Sequence, residues 1–163
     1  MKTTIEVATG EVKAGDKTCI LMSRAIGSCI VVTAWDPINQ VGGMAHIMLP
    51  GKAPEKKNKQ KTKYAEDAID MLIRLLDEKD VSRENPQVCL IGSGNVLKRP
   101  DNRICKDNLQ SAETILQNRY LPIRRRAVGG TLRRSALLDT ESGNVYYTRG
   151  DSKEMLLWGA PKK

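Results

Sequence analysis

The chain has 163 residues, 40% hydrophobic and 28% charged, a balance that suits one globular domain over residues 1–163 with no need of disulfide or metal support. No stretch approaches the roughly 18 apolar residues of a membrane span, and Met1-Lys2-Thr3-Thr4-Ile5-Glu6 lacks a signal-peptide core, so a cytoplasmic protein without membrane insertion is expected. A net charge of +8 favours an acidic partner, yet two Trp, four Tyr and no Phe offer little base stacking, and no common nucleic-acid motif is present, so no specific nucleic-acid partner is expected.

In chain order, branched and aromatic runs between turn signals predict strands at 17–22, 28–35 and 43–48. The segment Trp35-Asp36-Pro37-Ile38-Asn39-Gln40 reads as a turn, which makes the second and third strands antiparallel neighbours. Alternation puts Cys29, Val31, Thr33 and Trp35 on one face, and Met44, His46 and Met48 on one face. Residues 51–63 follow, with six lysines and one acid. This run cannot make a core and is expected to be a mobile loop, either a solvated surface or a steering surface for an acidic macromolecule.

A helix is predicted over 64–79, where Ala65, Ala68, Ile69, Leu72, Ile73 and Leu76 form an apolar stripe and Thr62 is a candidate cap. A second helix is predicted over 107–119 from Leu109, Ala112, Ile115 and Leu116. Strands at 88–91, 123–128, 135–139 and 144–148 complete the pattern, with Glu141-Ser142-Gly143-Asn144 as a hairpin turn. Arg124-Arg125-Arg126 suits an edge strand protected by charge. The result is an α+β chain with helices covering a sheet.

Four cysteines, Cys19, Cys29, Cys89 and Cys105, have no CxxC spacing, and with one histidine they give no paired zinc-ligand geometry; no metal and no cofactor are expected. Cys19 and Cys89 sit in apolar runs and read as buried small hydrophobes. Cys29 is different, because His46 follows it on the neighbouring strand. A thiol attacks as the thiolate, and a nearby imidazole takes its proton and lowers its pKa. Gly27 and Ser28 precede Cys29, so peptide N–H groups there can stabilise an oxyanion on a bound substrate. Ser23 carries a hydroxyl that can orient the imidazole, as can a backbone carbonyl. As residue types alone, Cys29 and His46 fit both a catalytic pair and a packed thiol beside a hydrogen-bonded imidazole.

The flanking sequence is more specific. Ile26-Gly27-Ser28-Cys29 followed by Gly43-Met44-Ala45-His46-Ile47-Met48-Leu49-Pro50 resembles the chemoreceptor glutamine deamidase family, CheD. Lys63-Tyr64-Ala65-Glu66-Asp67-Ala68 resembles that family's helix start, and Ile91-Gly92-Ser93-Gly94-Asn95-Val96 its strand-to-loop segment. Val128-Gly129-Gly130, Arg134-Ser135 and the run Asp139 to Val145 are similar to its C-terminal pattern.

The resemblance implies a cysteine hydrolase fold like that of the cytotoxic necrotising factor deamidases, with layered mixed β-sheets flanked by helices. It implies Cys29 as nucleophile, His46 as base and Ser23 in the place of the usual Thr. The implied substrate is glutamine on the cytoplasmic helices of methyl-accepting chemotaxis receptors, converted to glutamate through a Cys thioester, with esterase side activity on methyl-glutamyl groups. The family also docks a CheC-type phosphatase, so a non-catalytic adaptor that binds receptors and that phosphatase is the alternative. Departures from the family pattern fall at Ala127, Leu132-Arg133, Ser93 and Asn95.

Overall fold

The computed structural model describes residues 2–56 and 58–159. Its strands are β1 (Thr3–Glu6), β2 (Val12–Gly15), β3 (Cys19–Ile26), β4 (Ile30–Asp36), β5 (Val41–Ile47), β6 (Gln87–Gly92), β7 (Ile123–Val128), β8 (Arg134–Asp139), β9 (Val145–Arg149) and β10 (Met155–Trp158). Its α-helices are α1 (Ala65–Asp77) and α2 (Arg103–Asn118). One five-stranded sheet runs β1-β3-β8-β9-β10 and the other β2-β5-β4-β6-β7. Each contains one parallel pair, β1 with β3 and β6 with β7, so both are mixed.

The central strands β4 and β5 are buried along their whole length because both of their faces are covered. Ile30, Val32, Ala34, Ala45 and Ile47 pack against Ile69, Leu72, Leu76, Ala112 and Leu116 of the two helices. On the other face, Val31, Trp35 and Met44 meet Leu21, Ile26, Ala136 and Leu138 of the second sheet. The architecture is therefore sheet, sheet and helix in three layers. Burial of each Leu or Ile contributes roughly 1.5–3 kcal/mol, and Ile69 and Leu72 are almost fully enclosed. Gly43 lets α1 approach β5, since a Cβ there would overlap Leu72 Cδ1.

The helical stripes and the predicted alternation match the observed layers, and β7 lies at a sheet edge as its arginines suggest. Differences have local causes. β1, β2 and β10 lie outside the predicted strands: each is four residues long and is set by pairing with distant partners. β3 continues past 22 through the polar Ser-Arg-Ala run because β8 pairs alongside it. α2 begins at Arg103 rather than 107, one turn earlier, with Asn102 at the N-cap position. Thr62 does not cap α1 either. Tyr64 occupies that position without a side-chain bond, while the Thr62 hydroxyl donates to the Gly10 carbonyl.

The end of the lysine-rich segment is a short 3-10 helix, Asn58–Lys63, in place of the expected loop. The Lys63 carbonyl accepts from Met48 and Leu49, which ties this helix to the end of β5. Lys57, within the same segment, lies outside the described residues. Among the described residues, no helix is long and apolar enough to cross a membrane.

Candidate active site

The hairpin between β4 and β5 turns on buried Asp36, whose carboxylate accepts from the Ile38 N–H and the Asn39 side chain. That turn fixes a register in which Val31 stands opposite His46 and Ile30 opposite Ile47. Cys29 immediately precedes β4 and is diagonal to His46, on the face that looks toward the second sheet. Diagonal neighbours in such a ladder are about 7–8 Å apart, their Cβ atoms somewhat closer. The register places Cys29 and His46 on adjacent strands. Met48 lies beyond the end of β5 and is exposed.

Ser23 reaches the same place from the second sheet. It is fully buried on β3, two residues before a bulge at which Ala25 adopts φ +53°, and its Oγ lies 3.2 Å from His46 Nδ1. The Ser23 hydroxyl donates its only proton to the Val7 carbonyl. Its oxygen is then an acceptor toward the imidazole, so Nδ1 carries the ring proton and Nε2 carries the free lone pair. Nε2 is buried and, among the described residues, has no hydrogen-bond partner. The N-terminal crossover reinforces this arrangement, because the Gly10 N–H donates to the His46 carbonyl and the His46 N–H to the Glu11 carbonyl.

Burial holds the His46 imidazole below its ordinary range, partly offset by the Val7 carbonyl. Burial likewise pushes the half-buried Cys29 thiol up, against a smaller backbone contribution. Desolvation thus favours the uncharged form of both groups, the thiol of Cys29 and the imidazole of His46. Cys19 and Cys89 are buried, as expected, and Cys29 is the most accessible of the four cysteines.

The three residues ending at Cys29 are held by their carbonyls. The Gly27 carbonyl accepts from Gly94 N–H at 2.9 Å, that of Ser28 from Asn108 Nδ2 at 2.8 Å, and that of Cys29 from Ser93 N–H at 2.7 Å. Among the described residues, the N–H groups of Gly27, Ser28 and Cys29 have no backbone acceptor outside the sheet ladders. A cavity of about 290 Å³ opens beside them, lined by Gly27, Ser28, Asn95, Leu97, Arg99 and Ile104 among others. Gly92 lies below the loop at φ +128°, where any Cβ would collide with the Cys29 carbonyl oxygen.

Two residues here were not among the sequence candidates. Arg134, only 7% exposed, donates to the Gly129 carbonyl at 2.7 Å and has no carboxylate partner among the described residues. Burial, with Arg149 nearby, lowers its pKa. Its signal in the sequence is parity, since it shares the inward face of β8 with Ala136 and Leu138. Asn108 is fully buried, and its signal is the same kind at helical spacing, on the stripe with Cys105, Ala112 and Ile115. Among the described residues, no three His, Cys, Asp or Glu side chains converge as a metal-binding group.

A family model described as CheD chemotactic sensory transduction matches residues 48–149, more than half of the chain. A protein of Chlorobium luteolum named "Probable chemoreceptor glutamine deamidase CheD" is 39% identical over 150 residues, covering 92% of this chain and 75% of that protein. The chain belongs to the CheD family. A CheD relative of the same printed name from Desulfitobacterium hafniense strain DCB-2 is 31% identical over 151 residues, covering 89% of this chain and 92% of that one. Among solved structures, the hypothetical protein YfiH of Bacillus licheniformis aligns with a TM-score of 0.43 and 14% identity, over 74% of this chain and 49% of that chain. The CheD model match begins at Met48, after Cys29 and His46.

Proposed function

We propose that this chain deamidates glutamine side chains of chemoreceptors to glutamate, with Cys29 as nucleophile, His46 as base and Ser23 orienting the imidazole. The observation that carries this reading is the unpartnered Nε2 lone pair of His46, kept basic by the Ser23–Val7 relay on the face shared with Cys29. The name borne by the relatives supports the substrate class.

Cys29 Sγ adds to the amide carbon as its proton passes to His46 Nε2, so a neutral pair suffices and no standing ion pair is required. The carbonyl oxygen becomes an oxyanion met by the N–H groups of Gly27, Ser28 and Cys29. Collapse of the tetrahedral intermediate breaks the C–N bond, and the imidazolium protonates the departing ammonia. His46 then takes a proton from water as it attacks the thioester. The C–S bond breaks, leaving glutamate and the restored thiol. Methyl-glutamyl esters present the same acyl carbon and extend the reading to esterase activity.

This reading sets the chain as a single deamidase domain working in the cytoplasm, against receptor cytoplasmic helices. Docking of a CheC-type phosphatase is its finer part, supported by family membership alone. The test is mass spectrometry of a glutamine-containing receptor cytoplasmic fragment after incubation with the protein. Conversion of defined Gln to Glu with ammonia release is expected, and it should vanish in Cys29→Ala and His46→Ala. Full conversion by either variant would overturn the assigned mechanism, and binding without conversion by the unaltered protein would favour the adaptor alternative.

A further inference from the structure

The β4–β5 ladder ends at Ile30 opposite Ile47, one residue short of Cys29 on one strand and one residue past His46 on the other. Beyond that point no backbone bond joins the two chains, among the described residues: Met48 N–H goes instead to Lys63, and the Cys29 carbonyl to Ser93. One side chain spans the gap. Asn108 Nδ2, from α2, donates to the Ser28 carbonyl at 2.8 Å and to the Met48 carbonyl at 3.1 Å. Both of its N–H hydrogens are therefore committed, one to each strand. The amide cannot be flipped, because its oxygen would then face two carbonyl oxygens with no hydrogen between them. Its Oδ1 is buried and, among the described residues, unpartnered. A buried amide left half-satisfied carries a cost that packing alone does not explain.

We infer that Asn108 is a positioning residue that sets the separation between the Cys29 loop and the His46 strand. The inference rests on the deamidase reading, since the working separation is that needed for Sγ and Nε2 to share one substrate carbonyl. The other two ties on the loop, Gly27 to Gly94 and Cys29 to Ser93, run backbone to backbone, so side-chain changes leave them in place. They hold the loop to the end of β6. Asn108 is the side-chain tie between the loop and the end of β5, beyond the last ladder pair at Ile30 and Ile47. Misplacement of reacting groups by about 1 Å costs on the order of 100-fold in rate.

Two variants of the full chain test this, Asn108→Ala, which removes the amide, and Asn108→Asp, which keeps its shape and loses the donors. The first readout is iodoacetamide alkylation of each cysteine at pH 7.5, resolved by peptide mass spectrometry, and it requires no activity. Release of the loop exposes the thiol, so Cys29 should react roughly tenfold faster, the change that one pH unit of thiol acidity gives. Cys89, buried in the core, should stay protected and so report an intact fold. The second readout is steady-state deamidation, where kcat should fall on the order of 100-fold with KM little changed.

A thiol more reactive toward iodoacetamide in a slower enzyme is the expected signature. Global loosening would instead expose Cys89 along with Cys29. An unchanged Cys29 alkylation rate in both variants overturns the inference, as does loss of Cys89 protection in step with Cys29. If the unaltered protein deamidates nothing while the alkylation signature holds, the deamidase reading fails and the loop-positioning role of Asn108 stands.

Discussion

Ser23 Oγ lies 3.2 Å from His46 Nδ1 while its own proton goes to the Val7 carbonyl, and this pair of bonds decides which imidazole nitrogen is basic. Ser23→Ala removes the acceptor that holds Nδ1–H and frees the ring to change tautomer. Deamidation should drop on the order of 10–100-fold with the fold retained, whereas Ser23→Thr, which keeps the hydroxyl, should recover most of the rate. Ammonia release from a receptor fragment measures both.

Burial keeps His46 neutral below the usual imidazole value of about 6.5. The acid limb of kcat/KM should therefore fall below pH 6.5. Stability follows the same group: as pH falls below about 6.5 the unfolded chain takes up a proton that the folded chain refuses until its lower pKa is reached. The contribution of neutral His46 is thus present above pH 6.5 and is lost as pH falls from there toward the folded pKa. Urea midpoints for the unaltered chain and His46→Ala should differ in slope across this window and run parallel above it.

The thiols respond at the other end of the scale. Burial pushes Cys89 up to about 11. Between pH 9 and 11 the unfolded thiol ionises while the folded one does not, so stability should decline as pH rises, by on the order of 2 kcal/mol for this group. Cys89→Ala should remove that part of the alkaline decline, as measured by urea unfolding at pH 8 and pH 10.5.

Gly92→Ala places a methyl group against the Cys29 carbonyl oxygen and 2.7 Å from Ile26 Cγ2, at a φ of +128°. Either the Cys29 loop moves or the chain loses stability, and the expected outcome is both. A loss of about 1–3 kcal/mol is predicted, with near-complete loss of deamidation. Thermal unfolding and the receptor-fragment assay, run on the same preparation, provide the check.

Cys29→Ala should abolish turnover with little change in melting temperature, because the loop is held by its carbonyls and not by the thiol. Differential scanning calorimetry beside the activity assay tests it.

Local pattern in the chain was enough to determine several layers of this protein. Period-two alternation put Cys29 and Val31 on one face of a strand, and the Asp36 turn signal made its neighbour the strand of His46. Three-four spacing marked the faces of both helices, because the apolar stripe of a surface helix has one direction to point. Flanking motifs around Cys29 and His46 carried the family. What tertiary structure decided was everything that depends on partners distant in sequence. Pairing with β3 made a strand of Thr3–Glu6, and pairing with β8 carried β3 through Ser23.

The same holds for the chemistry of the site. The ring proton of His46 is assigned by Val7, a backbone carbonyl with no side-chain signature. Burial pushes the Cys29 thiol up, and desolvation is a property of the packed layers that cannot be read from a list of neighbours in sequence. Asn108 and Arg134 stood at inward positions of readable periodic patterns. Only the fold showed which carbonyls these two polar groups meet: Asn108 reaches Ser28 and Met48 across 80 and 60 residues, and Arg134 reaches Gly129 across the loop that ends β7, because such bonds follow from how elements pack.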